Sequence, residues 1–105
     1  MNTKTKTTVF VPRKGGTAEF HVMIVVTDPS LGYKDQLNAV IEACAAASEG
    51  RTVHFRRFFL SDASNQAPQL QEALLSLPDA VTSVVQQPPL DGTRIALWMY
   101  CTSPM

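Results

Sequence analysis

Residues Ala80–Cys101, AVTSVVQQPPLDGTRIALWMYC, decide the fold. Val81 to Gln87 is a half-apolar run that ends in Gln86-Gln87-Pro88-Pro89. The chain then turns at Asp91-Gly92 and returns as the strongly apolar run Arg94 to Tyr100. β-Branched and aromatic residues bounded by Pro, Asp and Gly read as strands. In the second run Ile95, Leu97 and Met99 alternate with Ala96, Trp98 and Tyr100. Side chains of a strand point alternately to opposite faces, so both faces of this strand are apolar and both need cover.

Working back from this pair of strands, Pro78-Asp79 closes a helix whose apolar stripe is Leu70, Ala73, Leu74 and Leu77. Its capping residues lie in Ser61-Asp62-Ala63-Ser64-Asn65. Pro68 is tolerated in a first turn, which places the start near Ser64 or Asn65 and the end near Leu77. Thr52 to Leu60, TVHFRRFFL, reads as a strand. Before it, Tyr33, Leu37, Val40, Ile41, Cys44 and Ala47 recur at helical spacing, and Gly50 provides the left-handed stop. Thr17 to Thr27 is again apolar on both faces: Phe20, Val22, Ile24 and Val26 against His21, Met23 and Val25. Arg13-Lys14-Gly15-Gly16 reads as a hairpin turn after a short β-type run, Thr8 to Pro12, and residues 1–7 are polar and expected to fray.

The order β-β-α-β-α-β-β implies an α+β two-layer sandwich, with one mixed sheet and both helices on one face. Two helices cover one face of such a sheet. The second face is also apolar, and no element remains to bury it. Another copy of the same chain is the economical cover, so a homo-oligomer is expected.

At 105 residues the chain has the length of one domain, and its 45% hydrophobic and 17% charged composition supports a packed core. Nine Lys and Arg balance nine Asp and Glu, which argues against nucleic-acid binding and is compatible with self-association. Cys44 and Cys101 are too far apart for a metal-type spacing and read as reduced thiols of a cytoplasmic protein. Val9-Phe10-Val11 is too short for a signal peptide, and no stretch is long and apolar enough for a membrane span. No Ser-His-Asp arrangement, paired carboxylates or metal spacing is visible, and Gly15-Gly16 precedes a strand, which excludes a phosphate loop.

The runs FFLSDASNQAPQLQEALLS and AVTSVVQQPPLDGTRIALWMY resemble the second half of the Rid/YjgF family of reactive-intermediate deaminases. Leu60-Ser61-Asp62 is similar to that family's Leu-x-Asp turn, Ser83 and Val85 match its Arg-Ser-x-Val strand, and Leu90 matches its Leu-Pro connection. Element order agrees over residues 8–100. The resemblance implies a chorismate-mutase-like domain assembled as a homotrimer, with pockets between subunits. It implies hydrolysis of imines and enamines to keto acids and ammonia, with no metal or organic cofactor. The family's carboxylate-binding arginine would fall at Thr82 and its water-positioning glutamate at Trp98, so both charged groups are replaced.

The reading is therefore a divergent Rid/YjgF-like protein that acts on, or binds, a small imine, enamine or keto acid carrying a carboxylate or carbonyl group. The alternatives are a non-catalytic binding or assembly module, or the YjgF-like domain of a longer chorismatase-type protein. Candidate ligand-binding residues are Thr82, Gln86, Trp98, Arg56 and Arg57. Arg56 and Arg57 either replace the missing cation or serve as interface or snorkelling residues. Gln86 and Gln87 either orient a polar ligand or satisfy the ladder before Pro88. Trp98 and Tyr100 either wall a cyclic ligand or pack against another subunit.

Overall fold

The computed structural model describes residues 2–12, 16–89 and 92–103. It contains β1 (Thr3–Phe10), β2 (Glu19–Val26), α1 (Tyr33–Ser48), β3 (Thr52–Leu60), α2 (Ala63–Leu74), β4 (Val81–Gln86) and β5 (Ile95–Thr102). The strands form one mixed sheet in the order β1-β2-β5-β3-β4. β3 and β4 are parallel, and every other pair is antiparallel. The α+β sandwich and element order expected from the sequence are those observed.

Alternation explains the layers. Val22, Ile24 and Val26 of β2, Phe58 and Leu60 of β3, and Ile95, Leu97, Met99 and Cys101 of β5 are buried on one face. Leu37, Val40 and Cys44 of α1 and Leu70 of α2 pack onto them. Each large apolar side chain so buried contributes about 1.5–3 kcal/mol. β5 lies at the centre because both of its faces are apolar, while the polar β1 lies at an edge. α1 presents Ala39, Ala43 and Ala46 towards β1, and these methyl groups leave a groove of about 640 Å³ along Thr3, Thr5 and Thr7.

Four local readings change. β1 reaches back to Thr3, over residues expected to fray. Thr and Lys alternate there, and β-branched threonines suit a ladder that runs from Thr3↔Val26 to Phe10↔Glu19. The strands β4 and β5, which read as consecutive partners, do not pair: β3 lies between them, because a parallel β3-α2-β4 crossover takes β4 to the edge. α2 begins at Ala63 and ends at Leu74, so Pro68 falls beyond the first turn. The start is set at Asp62, whose carboxylate accepts from the Asn65 side-chain amide at 2.6 Å and whose backbone N–H donates to Gln66 Oε1 at 2.9 Å. The missing donor at Pro68 costs one backbone bond near the exposed end. Gln36, polar and unremarked in the helical stripe, is fully buried: its amide donates to Leu31 O at 2.8 Å and accepts from the Arg94 N–H at 2.8 Å, tying α1 to the start of β5. The hairpin turn expected at Arg13–Gly16 falls mostly outside the described residues, as does Leu90 of the Pro-rich connection.

α1 and α2 each run antiparallel to the strands they join, so their C-terminal ends lie together. Neither has a basic residue in its last turn. Arg56 of β3 is 2% exposed and occupies this end, where its Nη2 donates to Pro78 O at 2.8 Å. Pro78, which accepts from Arg56, follows the C-terminal end of α2, while the last turn of α1 is met by Arg51, whose Nη1 donates to Ala47 O at 3.0 Å. The Arg56 Nε has no acceptor among the described residues.

Candidate functional site

The helix-free face of the sheet is built as rows of side chains that cross all five strands. One row is Lys6–Met23–Trp98–Arg57–Ser83. The next towards the start of β5 is Lys4–Val25–Ala96–Phe59–Val85. On the other side lies Thr8–His21–Tyr100–Phe55–Val81. A register shift between Val53 and Phe55 brings His54 onto the same face, where its Nε2 lies 2.7 Å from Thr102 Oγ1.

Aromatic rings fill the middle and one end of this face. His21 lies 5.8 Å from Trp98 and 5.3 Å from Tyr100, measured between ring centroids. His54 is 5.6 Å from Tyr100, and Phe55 is 5.7 Å from Trp98. Such tilted pairs are the favoured geometry of neighbouring aromatic rings. The Tyr100 hydroxyl donates to Glu19 Oε1 at 2.7 Å, and this bond to a carboxylate raises the phenol pKa above its ordinary value. The opposite end opens into a hollow of about 390 Å³, whose walls include Met23, Val25, Phe59, Gln87, Pro88 and Ala96. Thr93, buried at 3% exposure, also lines it.

The five candidate residues separate. Arg57 and Trp98 share one row of the open face, with the Arg57 guanidinium 5.2 Å from the Phe55 ring centroid. Arg56 is buried on the helix side, and its register partner is Thr82, whose hydroxyl donates to Ala80 O at 3.2 Å. Thr82 and Trp98 thus lie on opposite faces and do not form one site; Ser83 is the β4 residue in the Trp98 row. Gln86 also faces the helices, where its Oε1 accepts from the Ala63 N–H at 3.1 Å and completes the N-terminus of α2. Its neighbour Gln87 is the amide at the hollow. The sequence pattern marked the Gln pair but not which member faces the hollow, because a one-residue step reverses the face.

The thiols lie in the core. Cys44 and Cys101 are free and buried, and burial pushes both pKa values up, against an opposing pull from Arg56 on Cys44. No group of three or more His, Cys, Asp and Glu residues that could hold a metal occurs among the described residues. No described helix is long and apolar enough to cross a membrane.

No family model matches the chain, and no curated protein is significantly similar to it in sequence. Solved structures do match. A Salmonella typhimurium protein named as a candidate translation initiation inhibitor superposes with a TM-score of 0.61 at 13% identity, over 90% of this chain and 95% of that one. An uncharacterized Pseudomonas aeruginosa protein gives 0.60 at 16% identity, over 94% of this chain and 100% of that one. At these identities the likeness is one of fold, and it agrees with the YjgF-like sandwich expected from the sequence.

Proposed function

We propose that this chain is a divergent Rid/YjgF-like protein that assembles as a homotrimer through its open sheet face. In this reading it binds a small 2-oxo or 2-imino acid beside the boundary between copies. The observation that carries it is the make-up of the open face. One part is a continuous aromatic surface built from His21, Phe55, Trp98 and Tyr100. The other is a hollow of about 390 Å³ with an apolar floor and the amide of Gln87 at its wall. An apolar face of this extent on a small chain is the signature of a surface covered in use. A concave apolar site with a few polar groups suits a small ligand, and its volume falls within the roughly 300–1,000 Å³ range of such sites.

Binding is favoured over turnover. The described residues that line the hollow provide an amide and a hydroxyl, but no carboxylate or imidazole that could move a proton at the reacting carbon.

Three measurements on one preparation test this. Light scattering is expected to give three times the monomer mass. Thermal-shift screening is expected to show stabilisation by 2-oxo acids. Hydrolysis of a freshly generated 2-imino acid is expected to proceed at the uncatalysed rate, with an active family member as positive control. Acceleration of that hydrolysis would move the protein to the deaminases. A monomer that no 2-oxo acid stabilises would remove the reading altogether.

A further inference from the structure

We propose that Lys4 and Lys6 of β1 are the anion-binding residues of the hollow, and that its ligand is a 2-oxo acid with a bulky apolar side chain. This rests on the reading of the hollow as a small-molecule site and assigns the chemistry of that site.

The placement comes from register. Lys6 is paired with Met23 and Lys4 with Val25, and Met23 and Val25 are walls of the hollow. Adjacent strands lie about 4.8 Å apart, so each lysine stem can lie along its partner and deliver its ammonium to the rim. Both lysines are exposed, and neither is held in an ion pair among the described residues. Arg57 is placed differently: its guanidinium leans over Phe55, towards the start of β3 and away from Phe59 at the hollow.

Among the described strand residues of the open face, those nearest the hollow carry charge of one sign. The described strand residues there include the cations Lys4, Lys6 and Arg57 and the acid Glu19. Glu19 already accepts from the Tyr100 hydroxyl and pairs with Phe10, four residues along β2 from the Lys6 partner, or about 13 Å away. It cannot neutralise the lysines. An anion is therefore the complementary ligand, while the apolar floor of Val25, Phe59, Ala96 and Pro88 requires the rest of the molecule to be apolar. Gln87 and Thr93 provide the neutral donors a 2-oxo group needs.

Calorimetric titration of the full chain with phenylpyruvate, 3-methyl-2-oxobutanoate and pyruvate tests this. The proteins are wild type, the K4Q/K6Q double variant, R57Q, and K34Q as a charge control on the outer side of α1. Wild type is expected to bind phenylpyruvate at least tenfold more tightly than pyruvate, with affinity falling as salt rises. K4Q/K6Q is expected to weaken phenylpyruvate binding roughly tenfold, the scale of two partly exposed charge contacts, with an unchanged melting temperature. K34Q is expected to bind as wild type. Wild-type affinity in K4Q/K6Q, or equal affinity for pyruvate, overturns the assignment. Loss of binding in R57Q with K4Q/K6Q intact overturns it while leaving the hollow as the site. Failure of wild type to bind any of the three acids overturns both this assignment and the reading beneath it.

Discussion

Arg56-Arg57 and Phe58-Phe59 are neighbouring pairs on one strand, and each pair is divided between the two faces of the sheet. Arg56 and Phe58 lie beneath the helices at 2% and 0% exposure. Arg57 is exposed and Phe59 half-buried on the open side. Chemically identical side chains thus have opposite tasks. Those on the helix face hold the monomer together, and those on the open face are available to another copy or a ligand. Substitutions taken in pairs separate the two roles.

The largest difference is expected at the phenylalanines. Phe58→Ala removes a fully buried ring and should cost about 3–5 kcal/mol in chemical denaturation, whereas Phe59→Ala should cost roughly 1 kcal/mol in the monomer. Equal losses would mean the open face is covered within the single chain. The arginines come next. Arg56→Ala leaves a cavity and strips Pro78 O of its donor, for a loss of about 3 kcal/mol. Arg56→Met, which fills the space without a buried charge, should recover most of it. Arg57→Ala should change stability by less than about 0.5 kcal/mol, as for other exposed side chains.

Trp98→Ala tests the open face directly. It should shift the light-scattering mass towards monomer while leaving the far-ultraviolet circular dichroism unchanged. A smaller effect is expected at Tyr33, whose hydroxyl donates to Gln66 O at 3.0 Å and whose pKa burial raises to about 12. A tyrosine whose folded pKa lies above its unfolded value contributes stability that is complete below about pH 10 and lost as pH rises to about 12. Tyr33 is only half-buried, so solvent screening holds the effect to about 1 kcal/mol. Tyr33→Phe should flatten the stability profile between pH 10 and 12. The core thiols give the smallest perturbation. Cys44 and Cys101 should stay unreactive towards a thiol reagent in the native protein and react together on unfolding, since burial both shields them and disfavours the thiolate.

Much of the helix face was legible in the sequence. The stripe from Tyr33 to Ala47 matches α1, and TVHFRRFFL matches β3 at both ends. The open face was legible as a class, because Met23, Val25, Trp98 and Tyr100 alternate with core residues. The site was much less so. Thr82, Gln86 and Arg56 face the helices, and Lys4 and Lys6 lay in a segment that composition alone marks as polar. TKTKT does carry a strand signal, β-branched residues at every second position, but an edge strand without an apolar face has meaning only once its partner is known.

By itself the sequence determined the elements, their order, and the need for cover on both faces of the central strands. These follow from periodicity, which is local: 3.6 residues for a helix and two for a strand. Only the tertiary structure decided that β3 separates β4 from β5, that Arg56 and Arg57 point to opposite layers, and that Lys4 and Lys6 flank Val25 and Met23. Strand order and register are contacts between residues distant in the chain, set by which faces can be buried together, and no window along the sequence contains both partners.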